Sequence, residues 1–200
     1  MRANDQRRWL AEQAARLMHG SAIDDPMLAL SRVVRRQGTA PDRRQWPDAQ
    51  QIRAALQDYQ RLFGGGRQVS ALQLRRDAAQ AAMQFLAPFH PYLVGAVLDG
   101  TADAHSTVRL HLCVDDPDEV LTFLREHGID HDLGEARIHL SPQSSSIVPK
   151  LSFQADGVGF ELMVLPTSSE RQPPRDSDGH TPMPRANLAR VKNLLEAKSD

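Results

Sequence analysis

The sequence contains one cysteine, three lysines and few aromatic residues, and it has no long hydrophobic run. Its single cysteine, Cys113, excludes an internal disulfide and a metal site built from cysteine ligands. No apolar run approaches the roughly 20 residues that a membrane-spanning helix needs, and no signal-like leader opens the chain. These absences predict a cytoplasmic protein without a membrane contact.

The charges that are present are distributed unevenly. Of the 200 residues, 40% are hydrophobic and 24% are charged, which suits a globular core with a helical addition. Residues 1–90 contain 14 arginines and 8 acidic residues, whereas residues 91–200 contain 10 cationic and 17 acidic residues. Either the two halves complement each other and pack together, or the basic half faces an anionic partner such as nucleic acid.

Apolar residues recur at helical spacing through residues 1–88, which predicts a helical N-terminal region. Gly20, Gly38 and the triglycine at 64–66 are predicted helix ends, and a fourth helix is expected over about residues 69–86. The paired arginines of these helices, Arg75–Arg76 among them, are expected to be solvated. The amphipathic helices themselves could bind a protein partner.

The second half of the chain has the pattern of a small α+β domain. Asp116-Pro117 and His127-Gly128 mark the two ends of a helix, and Asp156-Gly157 predicts a tight hairpin turn. The predicted strands are 93–98, 107–114, 129–133, 136–140, 147–155 and 158–165. The expected organisation is a helical region at 1–88, a small mixed β-sheet domain at 89–166, an exposed linker at 167–184 and a C-terminal helix at 185–200.

Residues 93–114 are the most informative about function. A hydrophobic run contains Gly95 and leads through Gly100 into a polar turn, after which a second hydrophobic run begins at Val108. This layout resembles the signature of the nucleotidyltransferase superfamily with the polymerase-beta-like fold, which reads strand, Gly-Ser, turn and then Ser-Asp-hydrophobic-Asp. The corresponding residues here are Gly95-Ala96 for Gly-Ser and Ser106-Thr107-Val108-Arg109 for Ser-Asp-hydrophobic-Asp.

The resemblance covers residues 93–166 and implies a Mg²⁺-dependent transferase with three carboxylates, of which Glu161 would be the third. The first two are replaced by Thr107 and Arg109, which share one face because side chains alternate along a strand. Magnesium requires hard oxygen ligands, and the positive charge of Arg109 repels a cation. The resemblance therefore implies a nucleotidyltransferase-type fold with a degenerate catalytic centre, and it leaves enzymatic activity open.

The role expected of such a centre is binding. A cationic pocket without metal would hold a nucleotide, a nucleic-acid end or a protein partner, with arginine binding phosphate through its planar fork. The residues expected to contribute are Gly95, Ala96, Gly100, Ser106, Arg109, His111 and Lys150, with Arg137 as a further cation. Alternatively, Arg109 pairs with Glu161 in an ion pair between strands that takes the place of the metal.

Three other interpretations stay open. The chain could be an active Mg²⁺-dependent transferase whose acids have been relocated to Asp99, Asp103 or Asp115. It could be a non-enzymatic interaction module that uses its N-terminal helices. The resemblance could also be accidental in a generic α+β domain, in which case the first two strands need not pair and Glu161 need not lie beside Arg109.

Overall fold

The computed structural model describes residues 3–19, 21, 23, 25–37, 42–63, 65–141, 144–176, 179 and 181–196. Within them it shows an α+β fold with seven α-helices and one five-stranded mixed sheet, which confirms the predicted class. The helices are α1 (Ala3–Met18), α2 (Pro26–Arg36), α3 (Ala49–Phe63), α4 (Gly65–Phe85), α5 (Ala96–Asp99), α6 (Pro117–Glu126) and α7 (Leu188–Glu196). The strands are β1 (Tyr92–Val94), β2 (Val108–Cys113), β3 (Asp132–Ser141), β4 (Ser144–Ala155) and β5 (Val158–Leu165). No helix among the described residues is long and apolar enough to cross a bilayer.

The chain folds into two compact units. The first consists of Met1–Leu72 and Asp99–Ser106, and the second consists of Gln73–Leu98 and Thr107–Asp200. The first division falls inside α4, whereas the sequence suggested one boundary after residue 88. Each unit therefore contains two separate stretches of the chain.

The first unit is built around α1, α2 and α3. Asp25 accepts hydrogen bonds from the amides of Met27 and Leu28, and Pro26 occupies the first turn, so α2 begins where the sequence predicts. The apolar faces of the three helices meet in one core. Its buried side chains include Leu10, Ala14, Leu30, Ile52 and Leu56.

The second unit is built on the sheet, whose strand order is β1-β2-β5-β4-β3. β1 pairs with β2 in the antiparallel sense and β2 with β5 in the parallel sense, while β5–β4 and β4–β3 are antiparallel. A parallel pair needs a long connection, which α6, β3 and β4 provide between β2 and β5. β2 is buried at every position except Arg109, so both of its faces are covered.

Local sequence signals set two boundaries in this unit as predicted. Asp116 caps α6 by accepting a hydrogen bond from the amide of Asp118, and Pro117 occupies the first turn. Between β4 and β5, Asp156 and Gly157 have φ angles of 50° and 75°. These left-handed values are those of a tight hairpin turn.

Several predicted strand boundaries are wrong, among them the start of β4, which lies at Ser144 and not at residue 147. The strand expected at 93–98 ends at Val94, because Gly95 takes a left-handed φ of 74° and α5 follows at once. The strands expected at 129–133 and 136–140 are replaced by one strand, β3, which begins at Asp132 and continues to Ser141. Its glycine at position 134 pairs with β4 and continues the ladder instead of interrupting it.

The fourth helix also differs from its prediction, since α4 begins at Gly65 and not near residue 69. The end of α3 at Phe63 agrees with the expected effect of the triglycine. Gly20, Gly38 and Gly64, which are predicted helix ends, lie outside the described residues.

The segment 167–184 is not the exposed linker that its composition predicts. Ser169 and Asp176 are buried, and the amide of Arg175 donates to the carbonyl of His139 on β3 at 2.6 Å. The described part of this segment therefore includes turns that pack within the second unit. The helix expected after it is α7, and residues 197–200 lie outside the described part of the chain.

Candidate functional site

Two adjacent strands bring Arg109 and Glu161 together, opposite one another in the parallel β2–β5 register. The Nε of Arg109 donates to Oε2 of Glu161 at 2.8 Å, and the Nζ of Lys150 on β4 donates to Oε1 at 3.3 Å. All three side chains are partly buried, with exposed fractions between 20% and 30%. Both oxygens of the carboxylate are thus bonded to cations, and the ion pair predicted between the strands is confirmed.

The two cations keep Glu161 ionised. Burial alone would raise its pKa, but the charges and hydrogen bonds of Arg109, and then of Lys150, outweigh burial and hold the pKa of Glu161 below its ordinary value. At neutral pH the group is a carboxylate that accepts hydrogen bonds. It is suited to holding cationic side chains in place and unsuited to general acid catalysis.

The turn at Gly95 lies close to this ion pair. A Cβ atom at Gly95 would stand 3.8 Å from Cδ of Arg109, and Val94 is the partner of Arg109 in the β1–β2 ladder. Ala96 begins α5, a helix of four residues. Its methyl side chain has no group that could donate to a phosphate, so only the backbone of this turn could take part in binding.

His111, on the same strand as Arg109, is buried and not cationic. It is 2% exposed, and its Nδ1 has no hydrogen-bond partner among the described residues. Burial, followed by the positive charges of Arg185 and Arg109, lowers the pKa of His111 to about 4. The imidazole is therefore neutral at pH 7, and the expectation that it adds positive charge to a pocket is wrong.

Arg185 lies near this histidine, and no pattern in the sequence singles it out. Its guanidinium stands 4.2 Å from the centroid of the Tyr92 ring on β1. It also donates to the carbonyl of Ser169 at 2.6 Å and to that of Glu170. Arg185 thus ties the segment that follows β5 to β1, a role that a lone arginine beside prolines does not reveal in advance.

Arg137 does not join the cations at Glu161. Alternation along the β3–β4 ladder places Arg137 and Ile147 on the face of the sheet opposite to that of Lys150. The Nη1 of Arg137 donates to Oγ of Ser145 at 3.1 Å. Of the four expected cations, the structure brings Arg109 and Lys150 together at one carboxylate.

A cleft of about 430 Å³ opens beside Glu161 in the second unit. Thr107, at the start of β2, lines it, and a Cβ atom at Gly159 would come within 3.0 Å of the Thr107 methyl group. The rings of Phe153 and Phe160 stack at 5.0 Å with 9° between their planes. The remaining lining is polar and consists of Asp130, His131, Asp132, Ser152 and Gln154. This ring stack faces the other side of the sheet, because Phe153 alternates with Ser152 and Phe160 alternates with Glu161 along their strands. The cleft beside Glu161 therefore presents mainly hydrogen-bonding groups.

Gly100 and Ser106 lie in the first unit, in a loop that is held by hydrogen bonds from α4 and by hydrogen bonds of its own. Gln68 donates from Nε2 to the carbonyls of Gly100 and Ala102 at 3.2 and 3.1 Å. The buried hydroxyl of Ser106 donates to Oδ1 of Asp103 at 3.1 Å. The predicted ligand role of these two residues stays a prediction.

The three acids that could have replaced the missing metal ligands are engaged elsewhere. Asp99 pairs with Arg53 at 3.0 Å, and Asp103 is bonded within its own loop. Asp115 accepts hydrogen bonds from the amide and hydroxyl of Thr167, which lower the pKa of its carboxyl. No three His, Cys, Asp or Glu side chains of the described ranges are grouped so that they could hold a metal ion. An active transferase with relocated acids therefore has no support in this geometry.

Arg75 and Arg76 are 5% exposed, contrary to their expected solvation. The Nε of Arg76 donates to the carbonyl of Val97 in α5 at 3.2 Å, and burial lowers the pKa of Arg76. Helical periodicity could not indicate this, because charged helix positions usually form the exposed face. Arg76 is thus a buried cation of the second unit that is hydrogen-bonded to α5, the short helix that follows Gly95.

The chain matches no protein-family model, no curated protein and no solved structure. What it does has to follow from the chemistry of its own residues. In the second unit the relevant groups are the two ion pairs that Glu161 forms, with Arg109 and with Lys150, and the adjoining cleft.

Proposed function

We propose that this chain has a nucleotidyltransferase-type fold with a degenerate catalytic centre, and that it binds a nucleotide without transferring it. The observation that carries the proposal is the bonding of both Glu161 oxygens to cations, Arg109 on one side and Lys150 on the other. Strand pairing supports it as well. β1 pairs with β2, and β2 pairs with β5 so that Arg109 stands beside Glu161, which an accidental resemblance does not require.

The ion pair substitutes fixed cationic side chains for a metal. Nucleotidyl transfer relies on Mg²⁺ held by carboxylates, which neutralises charge on the phosphates. At this centre Arg109 repels such an ion, and the charge of Glu161 is already balanced. A guanidinium can nevertheless bind phosphate directly through two parallel hydrogen bonds. Binding without transfer is the chemistry that this arrangement favours.

The cleft beside the ion pair suits the uncharged part of a nucleotide. Ser152 and Gln154 offer donors and acceptors to a base or a ribose from the same face of the sheet as Glu161. Asp130 suits a ribose hydroxyl and would repel a phosphate. The phosphates are therefore expected at the end of the cleft near the ion pair.

The test measures binding and transfer separately, with each radiolabelled nucleoside triphosphate in the presence of Mg²⁺ or Mn²⁺. We expect saturable binding and no labelled product. Binding should weaken at least about tenfold in Arg109→Gln, because a hydrogen bond between charged groups contributes about 1.5–3 kcal/mol. Arg137→Gln removes an arginine from the opposite face of the sheet and is the matched control, which should bind like the unaltered protein.

Several outcomes would overturn this proposal. Transfer that disappears in Glu161→Ala would show that the centre is an active enzyme. Failure to bind any of the nucleotides would remove the nucleotide site. Equal weakening in the Arg109 variant and in the Arg137 control would show that the ion pair is not where the ligand binds.

A further inference from the structure

The first unit contains a groove between α1 and α3 with a volume of about 600 Å³. Ala11 from α1 and Ala54 and Ala55 from α3 contribute only methyl groups to its lining. Small side chains along a helix pair leave room for another backbone to approach closely. The groove therefore has room for a further helix.

The walls of this groove carry an excess of positive charge. The arginines that line it are Arg7, Arg8, Arg16 and Arg61, and the acidic residues are Glu12 and Asp58. Arg8 pairs with Glu12 at 3.0 Å and Arg61 with Asp58 at 3.1 Å, both at exposed positions. Exposed ion pairs of this kind are weak and easily exchanged. Arg16 has no ion-pair partner in the part of the chain that the structure describes.

One end of the groove is apolar and exposed. Leu62 is 71% exposed and Phe63 is 66% exposed at the end of α3. The Phe63 ring packs against the Tyr59 ring, with 4.7 Å between the two ring centroids. Large apolar side chains beside arginines are the composition typical of protein interfaces.

We propose that this groove binds an acidic amphipathic helix from a partner protein. Charge complementarity gives the partner its acidic residues, and the exposed Leu62 and Phe63 give it an apolar stripe. Nucleic acid is disfavoured as the occupant, because the exposed side chains of Leu62 and Phe63 would gain nothing from its phosphates. This inference concerns the first unit and does not depend on nucleotide binding in the second.

The mode of binding follows from the two walls. Apolar residues at every third or fourth position of the partner would lie along the alanine lining and reach Phe63. Acidic residues on both sides of that stripe would add ion pairs to Arg8 on α1 and Arg61 on α3, whose neighbours Glu12 and Asp58 remain beside them. Arg16 would gain a carboxylate partner. Four arginines and two acidic residues line the groove, so an acidic partner brings its charge closer to balance.

The experiment uses the full chain and a fluorescein-labelled peptide of 18 residues, with a leucine stripe at helical spacing and glutamates on both of its flanks. Fluorescence anisotropy gives its affinity beside that of a peptide in which lysines replace the glutamates. We expect the acidic peptide to bind at least about tenfold more tightly than the basic one, and less tightly as salt increases. Arg16→Glu and Phe63→Ser should each weaken binding about tenfold or more.

Arg35→Glu changes an exposed arginine of α2 that does not line the groove, and it serves as the matched control with an expected change below about twofold. Circular dichroism shows whether each variant is folded. Lack of saturable binding, or equal affinity for the acidic and basic peptides, would overturn the proposal. Tighter binding of a twelve-nucleotide oligouridylate, lost in Arg16→Glu, would assign the groove to nucleic acid and overturn it as well.

Discussion

At the scale of single residues, His111 is an ionisable side chain that is almost completely buried. Its pKa in the folded chain is about 4, below the ordinary value of 6.5 that applies once the chain unfolds. Between these pH values the unfolded chain binds more protons, so the free energy of unfolding falls as the pH decreases from 6.5 towards 4. We expect this group to remove up to about 3 kcal/mol over that range.

Urea unfolding followed by circular dichroism at several pH values checks this expectation. His111→Leu should flatten the dependence of unfolding free energy on pH between 6.5 and 4, because the titrating group is gone. His105→Ala, a change at an exposed histidine, should keep the slope of the unaltered protein. A slope that survives in His111→Leu would mean that other groups cause it.

Some residues of the candidate site could be predicted from the sequence and others could not. Period-two alternation placed Thr107, Arg109 and the buried His111 on one face of a strand, and the hydrophobic-acid-hydrophobic form of Glu161 marked its partner. The Arg109–Glu161 pair was thus predictable. Arg185 was not, because its neighbours in space are brought to it by the turns of a segment that has no periodic pattern.

At the scale of elements, glycines in the turns and at a helix start respond differently to the same change. Gly157 has a left-handed φ of 75°, and no atom lies within 4 Å of the position that a Cβ would take. Gly66 lies in the first turn of α4 and has no left-handed φ. We expect Gly157→Ala to lower the free energy of unfolding by about 1–2 kcal/mol, since alanine is strained in that conformation. Gly66→Ala should raise it by about 0.5–1 kcal/mol, since alanine favours the helix.

Thermal or urea unfolding of the two variants gives both values, and each variant is the control for the other. An equal shift of both in the same direction would show that the effect is not conformational. The test depends on the opposite signs of the two changes in unfolding free energy more than on their sizes.

Elements with strong local signals were predictable and those defined by tertiary context were not. Correct boundaries came from two helix caps, Asp25 and Asp116, and from the turn at Asp156-Gly157. Each of these signals depends only on the backbone a few residues away, so the sequence alone reveals it. Gly134 was misleading, since pairing with β4 keeps a glycine extended where local preference would break the strand. The segment 167–184 was misleading for the same reason, because packing on the sheet overrides a composition that is typical of exposed chain.

At the scale of the whole molecule, Gln60 holds together two stretches of the first unit that are distant in sequence. Its Nε2 donates to the carbonyl of Thr101 at 2.7 Å, and both residues are buried, each 6% exposed. In Gln60→Ala that carbonyl loses its donor, so we expect unfolding free energy to fall by about 1–3 kcal/mol. Both tryptophans, Trp9 and Trp46, belong to this unit, so tryptophan fluorescence during urea unfolding reports on it.

Gln57→Ala is the matched control for this change. Gln57 makes the same type of bond, to the carbonyl of Asp99 at 2.8 Å, from an exposed position where water can replace it. Its effect should stay within about 0.5 kcal/mol. Equal effects of the two variants would show that burial of the Gln60 contact does not matter.

The chain passes from one unit to the other at three places, after residues 72, 98 and 106. No single cut in the chain can therefore separate the two units with both intact, as it does for domains that lie end to end. A fragment that ends after residue 72 lacks the 99–106 stretch of the helical unit, and the fragment that begins there carries this stretch along with the second unit. The α1–α3 groove and the Arg109–Glu161 pair therefore belong to units that have to be made as one chain.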